Sequence, residues 1–106
     1  MLPMTDTKPH APATERNRDA IAAVLVEYFA DRRRVLEIGS GTGQHAVYFA
    51  QQLPHLIWQA SDRAERIDGI RQWLDDARLP NTPPALRLDV NDAWPDTRFD
   101  AVFSAN

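Results

Sequence analysis

Residues 35–45, VLEIGSGTGQH, place glycines at alternate positions directly after a short apolar run. Gly39, Gly41 and Gly43 let the backbone turn sharply and let a ligand approach amide groups that a Cβ would screen. A helical apolar pattern follows, and the free N–H groups and positive dipole end of that helix favour a bound anionic group. Asp62 stands 19 residues beyond Gly43, at the end of the next alternating apolar run, where a carboxylate accepts protons from ribose hydroxyls. Asp89 lies near the end of a third such run; its oxygen, with the backbone of Val90, suits an adenine ring and its exocyclic amine. Each acid also has a plainer reading, Asp62 as a helix N-cap and Asp89 as a turn residue. Taken together, three successive strand ends converge at the carboxyl edge of a parallel sheet, where such folds bind ligands.

Glu37 bears on which nucleotide is bound. A carboxylate two residues before the first glycine sits on a strand otherwise buried on both faces, which costs several kcal/mol unless it meets a polar site or partner. The dinucleotide fingerprint is apolar in that stretch. Glu37-x-Gly39-x-Gly41-x-Gly43 instead resembles the first motif of class I S-adenosylmethionine (SAM) dependent methyltransferases, in which an acidic residue precedes G-x-G-x-G. Gly41-x-Gly43-x-x-Ala46 still meets a relaxed G-x-G-x-x-G/A, so an NAD-binding Rossmann unit remains the alternative.

The elements that must hold these residues follow from periodicity. Residues 1–12 show no apolar periodicity and read as an extended arm, leaving 13–106 as one domain. Ile21, Val24, Leu25, Tyr28 and Phe29 form a helical stripe, with Thr14 as its candidate N-cap. Residues 35–38 read as a buried strand. Ala46, Val47, Phe49, Ala50 and Leu53 mark a second helix that Pro54 stops. Residues 56–61 alternate as a strand, and Ile67, Ile70, Leu74 and Ala77 mark a third helix with Gly69 inside it. Residues 81–84 read as a loop, residues 85–90 and 100–105 as two further strands.

Strand and helix thus alternate, which argues for a doubly wound, Rossmann-like α/β fold with a parallel sheet covered on both faces. One connection departs from the alternation: nine residues, 91–99, join the third and fourth strands, too few for a crossover helix. Fully extended they reach about 30 Å, enough to pass under three strand spacings of ~4.8 Å while returning along a strand. A 3-2-1-4 order is reachable if that linker stays stretched.

The remaining composition excludes other classes. The chain has 106 residues and a net charge of -3, with no basic excess of the kind that drives phosphate-backbone binding, so nucleic acid is not the expected partner. It holds no cysteine, which removes disulfides, thiolate catalysis and Cys-based metal sites. The longest wholly apolar run, Ala20 to Val26, is far below the ~20 residues that span a bilayer. With no secretory pattern in the first fifteen residues, a cytoplasmic location is expected. His10, His45 and His55 lack metal-ligand spacing, and His45, in the first turn of the second helix, is the one placed to touch a ligand or else the helix surface. Trp58, Trp73 and Trp94 read as packing residues.

Two segments resemble a particular family, the class I SAM-dependent methyltransferase-like proteins described as a domain of unknown function. They are HAPATERNRDAI, residues 10–21, and IGSGTGQHAVYFA, residues 38–50; WQASD ending at Asp62, LPN at 79–81, LDV at 88–90 and FDAVFSAN at 99–106 support them. The resemblance implies SAM as cofactor. Carried over by motif, Glu37, Gly39 and Gly41 line its methionyl part, Asp62 the ribose, and Asp89 with Val90 the adenine, with Ser40 and Gly43 of the same loop also cofactor-binding. Arg16 and Asn17, in a polar cluster that precedes the first helix, would close over it or remain a solvated helix start. The family pattern continues well beyond the fourth strand, so these residues correspond to its N-terminal half. The expectation is cofactor binding with little turnover, an unassigned methyl acceptor, and self-association through Ala101, Val102 and Phe103 on an exposed edge.

Overall fold

The strand that carries the glycine loop is the central one. In the computed structural model, which describes residues 11–105, β1 (Arg34–Glu37) pairs in parallel with β2 (Ile57–Asp62) on one side and β4 (Ala101–Phe103) on the other. β3 (Leu86–Arg87) pairs in parallel with the far end of β2, giving the order β3-β2-β1-β4. This is the expected 3-2-1-4 sheet. Residues 88–100 contain no helix and span from one edge of the sheet to the other.

Three helices pack around this sheet: α1 (Pro12–Tyr28), α2 (Gln44–Gln52) and α3 (Ala64–Ala77). β1 is covered on both faces, so Val35, Leu36 and Glu37 are all buried although only two are apolar. Phe49 of α2, Trp58 of β2 and Phe103 of β4 meet with ring centroids 5.5–5.6 Å apart and tie helix and strands into one core.

Several local expectations shift. The extended arm read over residues 1–12 lies outside the described residues up to residue 10, and Pro12 already belongs to α1. Pro12 opens the helix because its fixed φ is preset for a first turn whose N–H needs no partner, so Ala11, not Thr14, is the N-cap. Arg16 and Asn17 are therefore inside α1 rather than ahead of it. The helix packs mainly on α2, and a single neighbour covers a narrow stripe: Ala22 and Leu25 are buried, while Val24 and Tyr28 are exposed.

β3 and β4 are shorter than the apolar runs 85–90 and 100–105. β3 ends where its partner ends: Leu88 N–H donates to the Asp62 carbonyl at 2.8 Å, and the chain then turns at Asp89. β4 stops once β1 leaves the sheet at Gly39, whose φ is 69°. A strand persists only as long as its neighbour stays extended.

Candidate functional site

The loop after β1 is tied down by its own hydroxyls and amides. Ser40 N–H donates to the Ser61 carbonyl at 2.8 Å, and Ser61 N–H donates to Ser40 Oγ at 2.9 Å, so the loop continues the β1–β2 pairing through a side chain. Ser61 Oγ–H donates to the Glu37 carbonyl. Ser40 Oγ–H in turn donates to Glu37 Oε1 at 2.8 Å, and Trp58 Nε1–H donates to the same oxygen at 3.1 Å. Glu37 is only 1% exposed. Burial pushes its carboxyl up from 4.5 to about 7, against the two donors that favour the ionised form; the nearby Asp62 charge raises it slightly further.

Asp62 closes the same loop from β2. Gly41 N–H donates to its Oδ2 at 2.9 Å and Arg63 N–H to its Oδ1 at 2.7 Å. Asp62 is not the cap of the next helix: the N-cap of α3 is Arg63, which has no side-chain capping bond, and Asp62 holds only the Arg63 amide ahead of the helix. Gly41 has φ 62°, and a Cβ built there would meet nothing within 4 Å, so its backbone faces open space. Gly43, at φ 95°, is glycine for a second reason: a Cβ would stand 3.1 Å from Ile70 Cα and 3.2 Å from Trp73 Cβ. Its bare backbone lets α3 press onto the loop.

A cleft of about 310 Å³ opens over this loop. Glu37, Gly39, Ser40 and Gly41 line it, four of the five sequence-predicted residues that meet in one place. Asn17 joins them from α1, and His45 from the first turn of α2. These two are linked, His45 Nε2 lying 3.1 Å from Asn17 Oδ1, while the imidazole stacks on Phe49 at 4.9 Å. His45 is thus neither a surface residue nor free in the cleft. A further strap, Ala11 N–H to Gln44 Oε1 at 2.6 Å, holds the start of α1 across the mouth.

Other predicted residues stand outside the lining. Gly43 faces α3, and Asp62 sits beside the cleft with its carboxylate on the loop amides. Asp89 holds a turn, accepting from Asn91 N–H at 3.0 Å through Oδ1, and Val90 is exposed. Arg16 is exposed and takes no part in the lining. Sequence reasoning missed Arg66, Thr42 and the alanines at 11, 13 and 105, which also line the cleft. Small residues leave no chemical signal to read, but Arg66 lies one helical turn before Ile70, the residue packed on Gly43.

A 3-2-1-4 parallel sheet with a glycine loop after its central strand, a buried acid before the loop and an acid at the next strand end defines a Rossmann-like α/β domain. The chain belongs to the family described as protein of unknown function DUF938, whose model matches residues 8–106.

Solved structures share the fold. The chain is similar to the S-adenosylmethionine-dependent methyltransferase SibL in its apo form, at 24% identity and a TM-score of 0.78, over 88% of this chain and 27% of that one. It is also similar to an O-methyltransferase family protein from Burkholderia thailandensis, at 21% identity and a TM-score of 0.59, over 76% of this chain and 25% of that one. The sugar N-methyltransferase KedS8 from Streptoalloteichus sp ATCC 53650 aligns over the full chain and 45% of its own, at 18% identity and a TM-score of 0.57. The chain therefore spans less than half the length of each of these structures. Among the described residues, no helix is long and apolar enough to cross a membrane, and no three His, Asp or Glu side chains cluster as a metal site.

Proposed function

We propose that the cleft over the glycine loop binds SAM, and that these residues form the cofactor-binding part of a methyltransferase with an unassigned acceptor. The observation that carries this reading is Glu37, an acid only 1% exposed at the end of β1 that nonetheless lines the cleft together with the glycine loop. A ligand ammonium brought beside it would restore its ionised form and relieve the burial penalty. The residues fit such a cofactor at the backbone as well, because Gly41 presents open space where any Cβ would intrude.

In this reading Glu37 takes the ammonium of the methionyl end, and Gly39, Ser40 and Gly41 give that end a close, side-chain-free floor. Asp62 accepts from the ribose hydroxyls. Each of its oxygens holds one backbone amide, and a carboxylate has about four acceptor sites, so acceptor capacity remains. Asp89, with the backbone of Val90, meets the adenine. Gly43 acts indirectly, by letting α3 seat the loop. Asn17, held to His45, covers the methionyl end from α1 and limits water access. SAM supplies an electrophilic methyl group on a sulfonium; the chain's contribution is to position and shield it.

Calorimetric titration with S-adenosylhomocysteine, with NADH titrated in parallel, tests the reading. Micromolar to millimolar binding of the former and none of the latter is expected; NADH binding alone would transfer the site to a dinucleotide. We also propose that β4 pairs with a second copy of the chain. Among the described residues it is an edge strand, and its Val102 is 58% exposed. Light scattering should then report a mass that rises with concentration, and a monomer throughout would end that idea.

A further inference from the structure

We propose that Arg66 takes the carboxylate of the ligand's amino-acid end, so that the cleft selects a zwitterion. This rests on the reading of the cleft as a SAM site. Among the residues lining the cleft, Glu37 carries the carboxyl and Arg66 the guanidinium; the others offer alanine, glycine, hydroxyl, amide or imidazole groups. The two charges come from different elements, Glu37 from the strand before the glycine loop and Arg66 from the first turn of α3. Their difference in burial sets the polarity: Glu37 lies deep and Arg66 is exposed at the rim.

Arg66 stands apart from the neighbouring arginines. Arg63 is paired with Glu65 at 3.2 Å and Arg71 with Asp68 at 3.8 Å, whereas no carboxylate pairs with Arg66 among the described residues. Its backbone is fixed, since Arg66 N–H donates to the Arg63 carbonyl at 3.0 Å. Gly43 adds the positioning. With no side chain there, α3 approaches until Ile70 Cα is in contact distance of the loop, and Arg66, four residues earlier, falls on the same helix face. A long side chain held at its base and unpaired at its tip can fold onto a carboxylate in a planar, two-bond contact. An ammonium inward and a carboxylate outward is the order found at the end of an α-amino acid.

The test uses the 106-residue chain and three nucleosides. S-adenosylhomocysteine carries both charges, S-adenosyl-3-thiopropylamine keeps the amine and lacks the carboxylate, and 5′-methylthioadenosine lacks both. The unaltered chain should bind the first about tenfold or more tightly than the second. Arg66→Ala should erase that ratio by weakening the first ligand alone, and Arg66→Lys should restore part of it. Circular dichroism confirms that the exposed substitution leaves the fold intact. A ratio unchanged by Arg66→Ala, or an equal loss for all three ligands, overturns the role of Arg66 while leaving the SAM site standing. If no nucleoside binds but L-methionine still shifts the Arg66 guanidinium resonances, the SAM reading falls and Arg66 survives as an amino-acid contact. If neither binds, both fall.

Discussion

The backbone N–H of Gly41 donates to Asp62 Oδ2 at 2.9 Å, joining the glycine loop to the end of the neighbouring strand. Two features legible separately in the sequence are thus one mechanical unit. Under the proposed reading, in which this carboxylate also accepts from the ribose, loop order and nucleoside binding depend on the same atoms.

Asp62→Ala is expected to weaken S-adenosylhomocysteine binding by about 1–3 kcal/mol, the worth of hydrogen bonds to a charged group. It should also speed hydrogen exchange at the Gly41 amide, which loses its acceptor. Asp62→Asn keeps one carbonyl oxygen and should fall between. Normal affinity together with normal Gly41 exchange in the alanine variant would remove both roles.

Glu37 makes stability depend on pH in a stated direction. Its carboxyl titrates near 4.5 when unfolded and about 7 when folded, so between those values the folded state holds a proton that the unfolded state has released. Stability therefore falls as pH rises from about 4.5 to about 7 and levels off above, by on the order of 3 kcal/mol. Glu37→Gln, which cannot ionise, should flatten this portion of a urea-denaturation series against pH. A slope that persists in the variant would assign the effect to another group.

Ligand binding should run the opposite way. A cation beside Glu37 favours the ionised carboxyl, so affinity for S-adenosylhomocysteine should rise with pH up to about 7 and binding should release a proton there. Calorimetry in two buffers of different ionisation enthalpy measures that proton directly. Uptake in place of release would contradict an ammonium at this position.

The glycines should separate by mechanism. Gly41→Ala meets no neighbour and carries only left-handed strain of about 1–2 kcal/mol, but it places a methyl in the cleft and should impair binding. Gly43→Ala adds a contact 3.1 Å from Ile70 Cα to the same kind of strain, so its loss of melting temperature should be the larger. Equal thermal shifts for the two would mean that α3 yields freely.

Asn81 shows how a loop residue can hold the frame. Its Nδ2 donates to the Ala50 and Leu56 carbonyls, both at 2.9 Å, while its main-chain carbonyl accepts from the Trp58 main-chain N–H at 2.9 Å. Asn81→Ala strands two buried carbonyls and should cost about 2–4 kcal/mol in chemical denaturation. A loss below 1 kcal/mol, taken as about the worth of one ordinary hydrogen bond, would mean that water replaces the amide.

The elements and their order were legible because burial imposes its period on the chain. The run Val35 to Ile38 before three glycines announced a buried strand and its turn, and Pro54 marked where α2 had to stop. The 3-2-1-4 order was within reach of the short linker before β4, and the structure adopts it. Asn81 is the counterexample: between prolines it reads as loop, and nothing local reveals that its amide closes two distant carbonyls.

Residue types and spacing by themselves determined the fold class, the glycine loop and the acids at Glu37 and Asp62, since these depend on local backbone freedom and alternation. Only the tertiary structure decided which of them share a cleft. It drew in Arg66 and His45, turned Gly43 toward α3, and engaged Asp89 in a turn. The reason is physical: hydrogen bonds and packing across 20 or more residues, as between Glu37 and Trp58, are fixed by where elements meet, and that leaves no trace in the spacing of neighbours.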